Sequence, residues 1–150
     1  MLNERDLRAG RRRIAIVEDD GSMALLLAYN LEAAGYDVSI VSSGIGALDN
    51  VERIWPQLMI LDWELPGLSG IEVLRQIRRR LATAYMPVVM LTGRKGFHDR
   101  KRAIDTGADV FLSKPFSMCE LMHHVTMLLE RHGDGTETWP VVRDRINSRG

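Results

Sequence analysis

A chain of 150 residues with 45% hydrophobic content has the size of one globular domain and can bury a core without disulfide or metal staples. Twenty basic against twenty acidic residues sum to a formal charge of zero, which excludes an overall basic field for nucleic acid or an anionic membrane. A single cysteine, Cys119, excludes an internal disulfide, and the apolar runs at 23–29 and 86–91 fall far short of the roughly 20 residues that span a bilayer, so a soluble, cytoplasmic protein is expected.

In chain order, residues 1–11 read as a polar tail with acids and arginines and no apolar stretch of a secretory signal. Residues 13–18 form the first predicted strand. A helix follows, begun by Asp20, with Met23, Leu26, Leu27 and Leu31 as its apolar face and Gly35 closing it in a left-handed position. A second strand over 36–41 and a helix over 44–54 come next, then a third strand over 57–61. The third helix opens on Ser69-Gly-Ile-Glu72, a capping-box pattern in which two side chains satisfy free backbone N–H groups. The fourth strand covers 86–91. A helix from Phe97 ends at Gly107 and turns Ala103 and Ile104 toward the sheet. The fifth strand covers 109–112, and the last helix opens on a second capping box, Ser117-Met-Cys-Glu120. Met118, Leu121, Met122, Val125, Met127 and Leu128 are expected to pack it under the sheet.

Strict alternation of strands and helices, with near-continuous apolar runs such as Leu58-Met-Ile-Leu61 and Val88-Val-Met-Leu91, predicts an α/β doubly wound parallel sheet. The pattern places the domain at 12–131. Residues 132–150, rich in Gly, Asp, Thr and Arg, read as a tail or linker, with Trp139-Pro-Val-Val142 as a short apolar clip in the alternative reading.

Chemistry-bearing residues fall at one end of each predicted strand: Glu18, Asp19 and Asp20 after the first, Asp62 after the third, Thr92 after the fourth and Lys114 after the fifth. Parallel strands share that edge, and open α/β sheets bind ligands there. Carboxylates brought together repel unless a cation neutralises them, and Mg²⁺, which favours oxygen ligands and keeps several waters, suits Asp19 and Asp62, with Glu18 acting through water. A carboxylate can attack phosphorus to give an acyl phosphate, a reaction that needs positioning and charge neutralisation. Asp62 is the candidate nucleophile, Lys114 the positive charge for the incoming oxygens, and Thr92 a hydroxyl donor to the phosphoryl group.

The motifs Ile16-Val-Glu18-Asp19-Asp20, Leu61-Asp62-Trp-Glu-Leu-Pro66-Gly67-Leu-Ser-Gly70, Leu91-Thr92-Gly93 and Ser113-Lys114-Pro115-Phe116 resemble those of the receiver domains of two-component response regulators, over residues 12–131. The resemblance implies a CheY-like, flavodoxin-type sheet of five strands in the order 2-1-3-4-5. It implies an aspartyl phosphate on Asp62, Mg²⁺ (or Mn²⁺ in its place) with one ligand from the backbone carbonyl of Glu64, and slow self-catalysed hydrolysis. A sensor histidine kinase or phosphotransfer protein is the implied donor, and the Lys114–Pro115 bond is often cis in the family. Phe111 matches the switch aromatic whose rotamer accompanies engagement of Thr92. Glu64 and Arg94 match positions that tune phosphoryl lifetime, and their opposite charges suggest a pair over the site.

Plainer readings attach to other features. Gly67 and Gly70 read as turn and helix-entry residues, Arg11-Arg12-Arg13 as a solvated strand entrance, and His123 with His124 as surface residues pointing apart. The face of the fourth helix, fifth strand and fifth helix is the family's usual output surface. There Arg100 and Glu120 resemble part of an ion-pair set used for dimerisation, although Val110 and His124 replace two of its charged members. No room remains after Arg131 for a helix-turn-helix, so the chain is expected to be a stand-alone receiver or a piece of a longer regulator, acting on a downstream partner or fused output domain and not on DNA or membrane itself. A phosphatase of the haloacid dehalogenase type, which would place a D-x-D pair near the first strand, fits poorly. A receiver that no longer takes phosphate and serves as a binding scaffold is the other alternative, which the presence of Glu18, Asp19, Asp62, Thr92 and Lys114 disfavours.

Overall fold

Residues that alternate along each strand belong to opposite faces, and the core divides by that rule. In the computed structural model, which describes residues 10–93 and 96–131, five strands form one sheet: β1 (Arg13–Val17), β2 (Asp37–Val41), β3 (Leu58–Asp62), β4 (Val88–Thr92) and β5 (Val110–Ser113). All pairings are parallel and the order is β2-β1-β3-β4-β5, as the resemblance implies. Five helices connect and follow them: α1 (Gly21–Ala33), α2 (Gly44–Ile54), α3 (Gly70–Arg79), α4 (Phe97–Thr106) and α5 (Met118–Arg131). Ala15, Val17, Met59, Leu61, Val88 and Met90 face α2, α3 and α4; Ile14, Ile16, Leu58, Ile60, Val89 and Leu91 face α1 and α5. β3 and β4 are buried throughout, which is why they read as unbroken apolar runs, while β2 at the edge is only partly covered.

The helix ends follow local chemistry, with corrections. Asp20 caps α1, its carboxylate accepting from the N–H groups of Ser22 at 3.0 Å and Met23 at 3.3 Å. Gly35, at φ 98°, closes it, with Tyr36 N–H donating to Leu31 O at 3.1 Å and Gly35 N–H to Glu32 O at 2.9 Å. The buried face of α1 is Ala24, Leu27, Ala28 and Leu31, so the predicted stripe is rotated: Leu26 is exposed and Met23 only packs at the margin. The two alanines let the helix approach the sheet closely. Ser117 Oγ accepts from Glu120 N–H at 3.3 Å, as half of the second capping box requires. The first box does not form: Ser69 makes no side-chain cap, because Glu72 N–H is already held by Ser69's own carbonyl at 3.1 Å, and the Glu72 side chain pairs with Arg75. Ile104 is exposed where Ala103 is buried, and Met127 is exposed on α5, since one residue along a helix turns the side chain by about 100°.

Two arginines tie the sheet's other end. Arg13 is no mere solvated entrance: its guanidinium donates to the carbonyls of Ile54 and Trp55 at 2.8–3.0 Å, covering the C-terminus of α2 where Trp55 sits at φ 53°. Arg78 on α3 donates to Gly107 O at 2.9 Å and Thr83 O at 3.2 Å and pairs with Asp109 at 3.1 Å, while Asp109 also accepts from Val88 N–H at 2.8 Å. One side chain thus joins α3, β4 and the turn into β5. Arg78→Ala is expected to lower unfolding stability by about 2 kcal/mol in urea denaturation, since it takes the guanidinium donors from two carbonyls and the ion-pair partner from Asp109 together. An effect within 0.5 kcal/mol, roughly that of an ordinary surface substitution, would show that the clamp contributes nothing.

Residues 1–9 and 132–150, including the Trp139–Val142 segment read as a clip, lie outside the described residues.

Candidate functional site

The carboxyl ends of β1, β3, β4 and β5 converge, because parallel strands in register must deliver their next residues to one edge. Asp62 pairs with Leu91 across β3 and β4, and Thr92 with Ser113 across β4 and β5. Glu18 and Asp19 follow directly on β1, and the Glu18 N–H is held by Val41 O at 3.0 Å. Glu18 and Asp62 are each 2% exposed and Thr92 is fully buried, whereas Asp19 is open to solvent. Each of Glu18, Asp19 and Asp62 offers an oxygen, and these oxygens lie within 4.8 Å of one another.

Lys114 answers this charge from β5. Its Nζ lies 3.1 Å from Glu18 Oε2 and 3.3 Å from Asp62 Oδ2, and the Lys114–Pro115 bond is cis. Glu18 also accepts from Asp20 N–H at 3.1 Å, so its two oxygens serve the cap of α1 and the lysine at once. Burial and then the hydrogen bond and charge of Glu18 push the Asp62 carboxyl up from 3.8 to about 7, against the pull of Lys114. Burial works to lower the Lys114 ammonium, but Glu18 and Asp62 outweigh it and raise its pKa. Among the described residues the pocket thus brings three carboxylates, of Glu18, Asp19 and Asp62, against the one ammonium of Lys114. This is the condition under which a hard divalent cation fits, and the three oxygen donors are the type Mg²⁺ takes.

Glu64 follows two residues after Asp62, and its N–H donates to Asp62 Oδ1 at 3.1 Å. Its side chain turns to the end of β4: Thr92 Oγ1 donates to Glu64 Oε1 at 2.8 Å, and Gly93 N–H to Glu64 Oε2 at 3.4 Å. Burial would raise the Glu64 pKa, but the donors around it prevail and hold it below the ordinary value. Arg94, the partner suggested by charge, lies outside the described residues. The Thr92 contact was missed in the sequence because nothing in the spacing of two polar residues separated by a whole helix and strand tells which rotamer each takes.

Phe111 is buried in the core cluster on the α3 and α4 side, with the Arg100 guanidinium 5.9 Å from its ring centroid. Trp63, next to Asp62, is buried too, and Arg102 lies 5.8 Å from its ring. α4 therefore sets two arginines on aromatics of the sheet's end, a feature that residue types alone did not reveal. Glu120 on α5 faces His124 at 3.9 Å. His123 and His124, expected to point apart, instead bring their rings together edge to face, with centroids 6.0 Å apart and planes at 62°. Among the described residues no helix is long and apolar enough to cross a membrane.

A doubly wound sheet with this acidic edge, a hydroxyl and a lysine defines a receiver. Residues 14–126 match the family model described as "Response regulator receiver domain", and the chain belongs to that family. It is 45% identical over 119 residues to the phosphate regulon transcriptional regulatory protein PhoB of Rhizobium meliloti, covering 79% of this chain and 52% of that protein. It is 40% identical over 120 residues to the alkaline phosphatase synthesis transcriptional regulatory protein PhoP of Bacillus subtilis, covering 80% and 49%. The chain thus spans about half the length of the curated relatives it matches. Among solved structures it is similar to the Francisella response regulator 1452 receiver domain, at TM-score 0.77 and 26% identity over 81% of this chain and 99% of that one. The BeF3-activated N-terminal receiver domain of Klebsiella pneumoniae RstA matches at TM-score 0.73 and 27% identity, over 79% and 98%. The cluster of Glu18, Asp19 and Asp62 is typical of the receiver Mg²⁺ site.

Proposed function

We propose that this chain is a phosphoacceptor switch in which Asp62 takes a phosphoryl group from a phosphohistidine on a sensor histidine kinase or phosphotransfer protein. The observation that carries the reading is the buried Asp62 carboxylate held 3.3 Å from the Lys114 ammonium beside two further carboxylates. In the transfer an Asp62 oxygen attacks phosphorus, the P–N bond to the histidine breaks, and the imidazole leaves and takes up a proton. Lys114 attracts the transferring oxygens and balances them once they are bound. Thr92 donates its hydroxyl proton to the phosphoryl group, and Phe111 follows Thr92 in the switch. Glu18, Asp19, Asp62 and the Glu64 carbonyl would hold Mg²⁺, or Mn²⁺ in its place, which supplies charge neutralisation at the carboxylates and at the transferring group.

Hydrolysis of the aspartyl phosphate resets the switch, with Glu64 and Arg94 tuning its lifetime. The chain is on this reading no enzyme for an outside substrate. The domain runs from 12 to 131, and its output is the face of α4, β5 and α5, where Arg100 and Glu120 would meet a second copy, a partner protein or a fused output domain. Several relatives are named as transcriptional regulators, which suggests gene control through sequence beyond the matched half. A cytoplasmic setting fits the exposed free thiol of Cys119.

Incubation with Mg²⁺ and acetyl phosphate is expected to add one phosphoryl group by intact mass. The adduct should be lost in Asp62→Asn and on chelation of the metal. No adduct on folded wild-type protein, quenched within seconds, would favour the scaffold reading instead.

A further inference from the structure

A hydroxyl has one proton and can donate it to one acceptor at a time. In the structure the Thr92 hydroxyl gives that proton to Glu64 Oε1, at 2.8 Å, and the neighbouring Gly93 N–H leans on Glu64 Oε2, at 3.4 Å. Both donors terminate β4, at the edge that Asp62 reaches from β3. Their acceptor is a carboxylate, so the bond is charge-assisted; Thr92 is fully buried while Glu64 itself is exposed, so the carboxylate has solvent to swing into when the hydroxyl changes partner.

Resting on the phosphoacceptor reading, we propose that Glu64 is a latch: its carboxylate holds the Thr92 hydroxyl and the Gly93 amide in the resting state, and a phosphoryl group on Asp62 must displace it to engage them. Glu64 is then a positioning residue that acts on the switch through Thr92. It mimics, from the side, the anionic oxygen that the phosphoryl group brings, and it is tethered to Asp62 by its own N–H, at 3.1 Å from Asp62 Oδ1. The latch has a thermodynamic consequence. Engaging Thr92 exchanges one charge-assisted bond for another, so the hydroxyl adds little to phosphoryl affinity until the carboxylate leaves, and the resting population is enriched by the strength of the bond that must break. The sequence of the chain builds this in by placing an acid, with the reach of two methylenes, two residues after the phosphoacceptor.

The test is a double-mutant cycle on the full chain with beryllium fluoride as the phosphoryl mimic in saturating Mg²⁺, read by the backbone amide resonances of Thr92 and Gly93. Glu64→Ala is expected to lower the half-saturating concentration about tenfold, the equivalent of one hydrogen bond to a charged group, and Glu64→Gln by less. In a Thr92→Val background, which keeps the shape and removes the hydroxyl, the same Glu64→Ala change should shift it by no more than about twofold. An equal shift in both backgrounds would overturn the latch in favour of plain charge repulsion, and no shift in either would overturn it outright. Failure of every folded variant and of the wild type to bind the mimic would be a different result, overturning the phosphoacceptor reading and the latch with it.

Discussion

Asp62→Asn is expected to stabilise the protein against unfolding in metal-free buffer, and to do so more at pH 8 than at pH 5. The folded carboxyl is pushed up to about 7 from its ordinary 3.8, first by burial and then by Glu18. Between those values the unfolded chain releases its proton while the folded chain keeps it. The unfolded state therefore binds fewer protons, and stability falls as pH rises through that window. Below about pH 4 both states hold the proton and the wild type bears no penalty. Above about pH 7 both are ionised and the full penalty persists. The expected widening of the gap between pH 5 and pH 8 is on the order of 2 kcal/mol. Asn keeps the shape and never ionises. Urea titrations of both proteins at the two pH values would show the gap widening with pH, and Mg²⁺ should narrow it by neutralising the wild-type carboxylates. A gap independent of pH would mean that Asp62 is not strained by its ionisation.

Gly70→Ala is expected to cost about 3 kcal/mol or more of stability and to slow phosphoryl uptake at the same time. α3 enters so close to the end of β3 that a Cβ at Gly70 would stand 2.1 Å from the Asp62 carbonyl oxygen, 2.8 Å from Trp63 Cα and 2.9 Å from Asp62 C. All three are backbone atoms, so no rotamer change can relieve the clash. The strand end that carries the phosphoacceptor or the helix has to move. Gly70 N–H is bonded to Trp63 O at 2.9 Å, and displacement of the helix breaks that bond as well. Gly67, at φ 74° with open space around it, is the useful contrast: alanine there meets strain of the backbone but no neighbour, and the Asp62 strand end stays in place. Denaturation midpoints and the rate of the acetyl phosphate adduct measure the two effects. A Gly70→Ala protein as stable and as reactive as the wild type would show that the helix can shift without the site.

The strands, their order in the chain and the edge where Glu18, Asp62, Thr92 and Lys114 meet were legible in the sequence. Apolar runs of strand length and turn glycines are local signals, and parallel alternation leaves one edge for every strand's next residue. The cap by Asp20 and the left-handed Gly35 were legible for the same reason, since each acts within a few residues of its own position. Less was legible in the faces of helices. Leu26, Ile104 and Met127 are apolar at plausible spacings yet exposed, because how a helix rolls on the sheet is decided by which neighbours are small enough to let it approach, as Ala24 and Ala28 do. Ser69 had the right neighbours for a capping box and did not use them, since the backbone had already satisfied the same N–H.

The sequence by itself determined the receiver fold and the identity of its acidic edge, because motif order and hydrophobic period are carried by residue type. Tertiary structure alone decided who holds whom: Arg78 spanning three elements, Arg102 over Trp63, and Glu64 turned to Thr92. Such contacts join residues many positions apart and depend on rotamer and distance, and a hydrogen bond gains or loses its worth within a few tenths of an ångström, a scale that no pattern of residue types encodes.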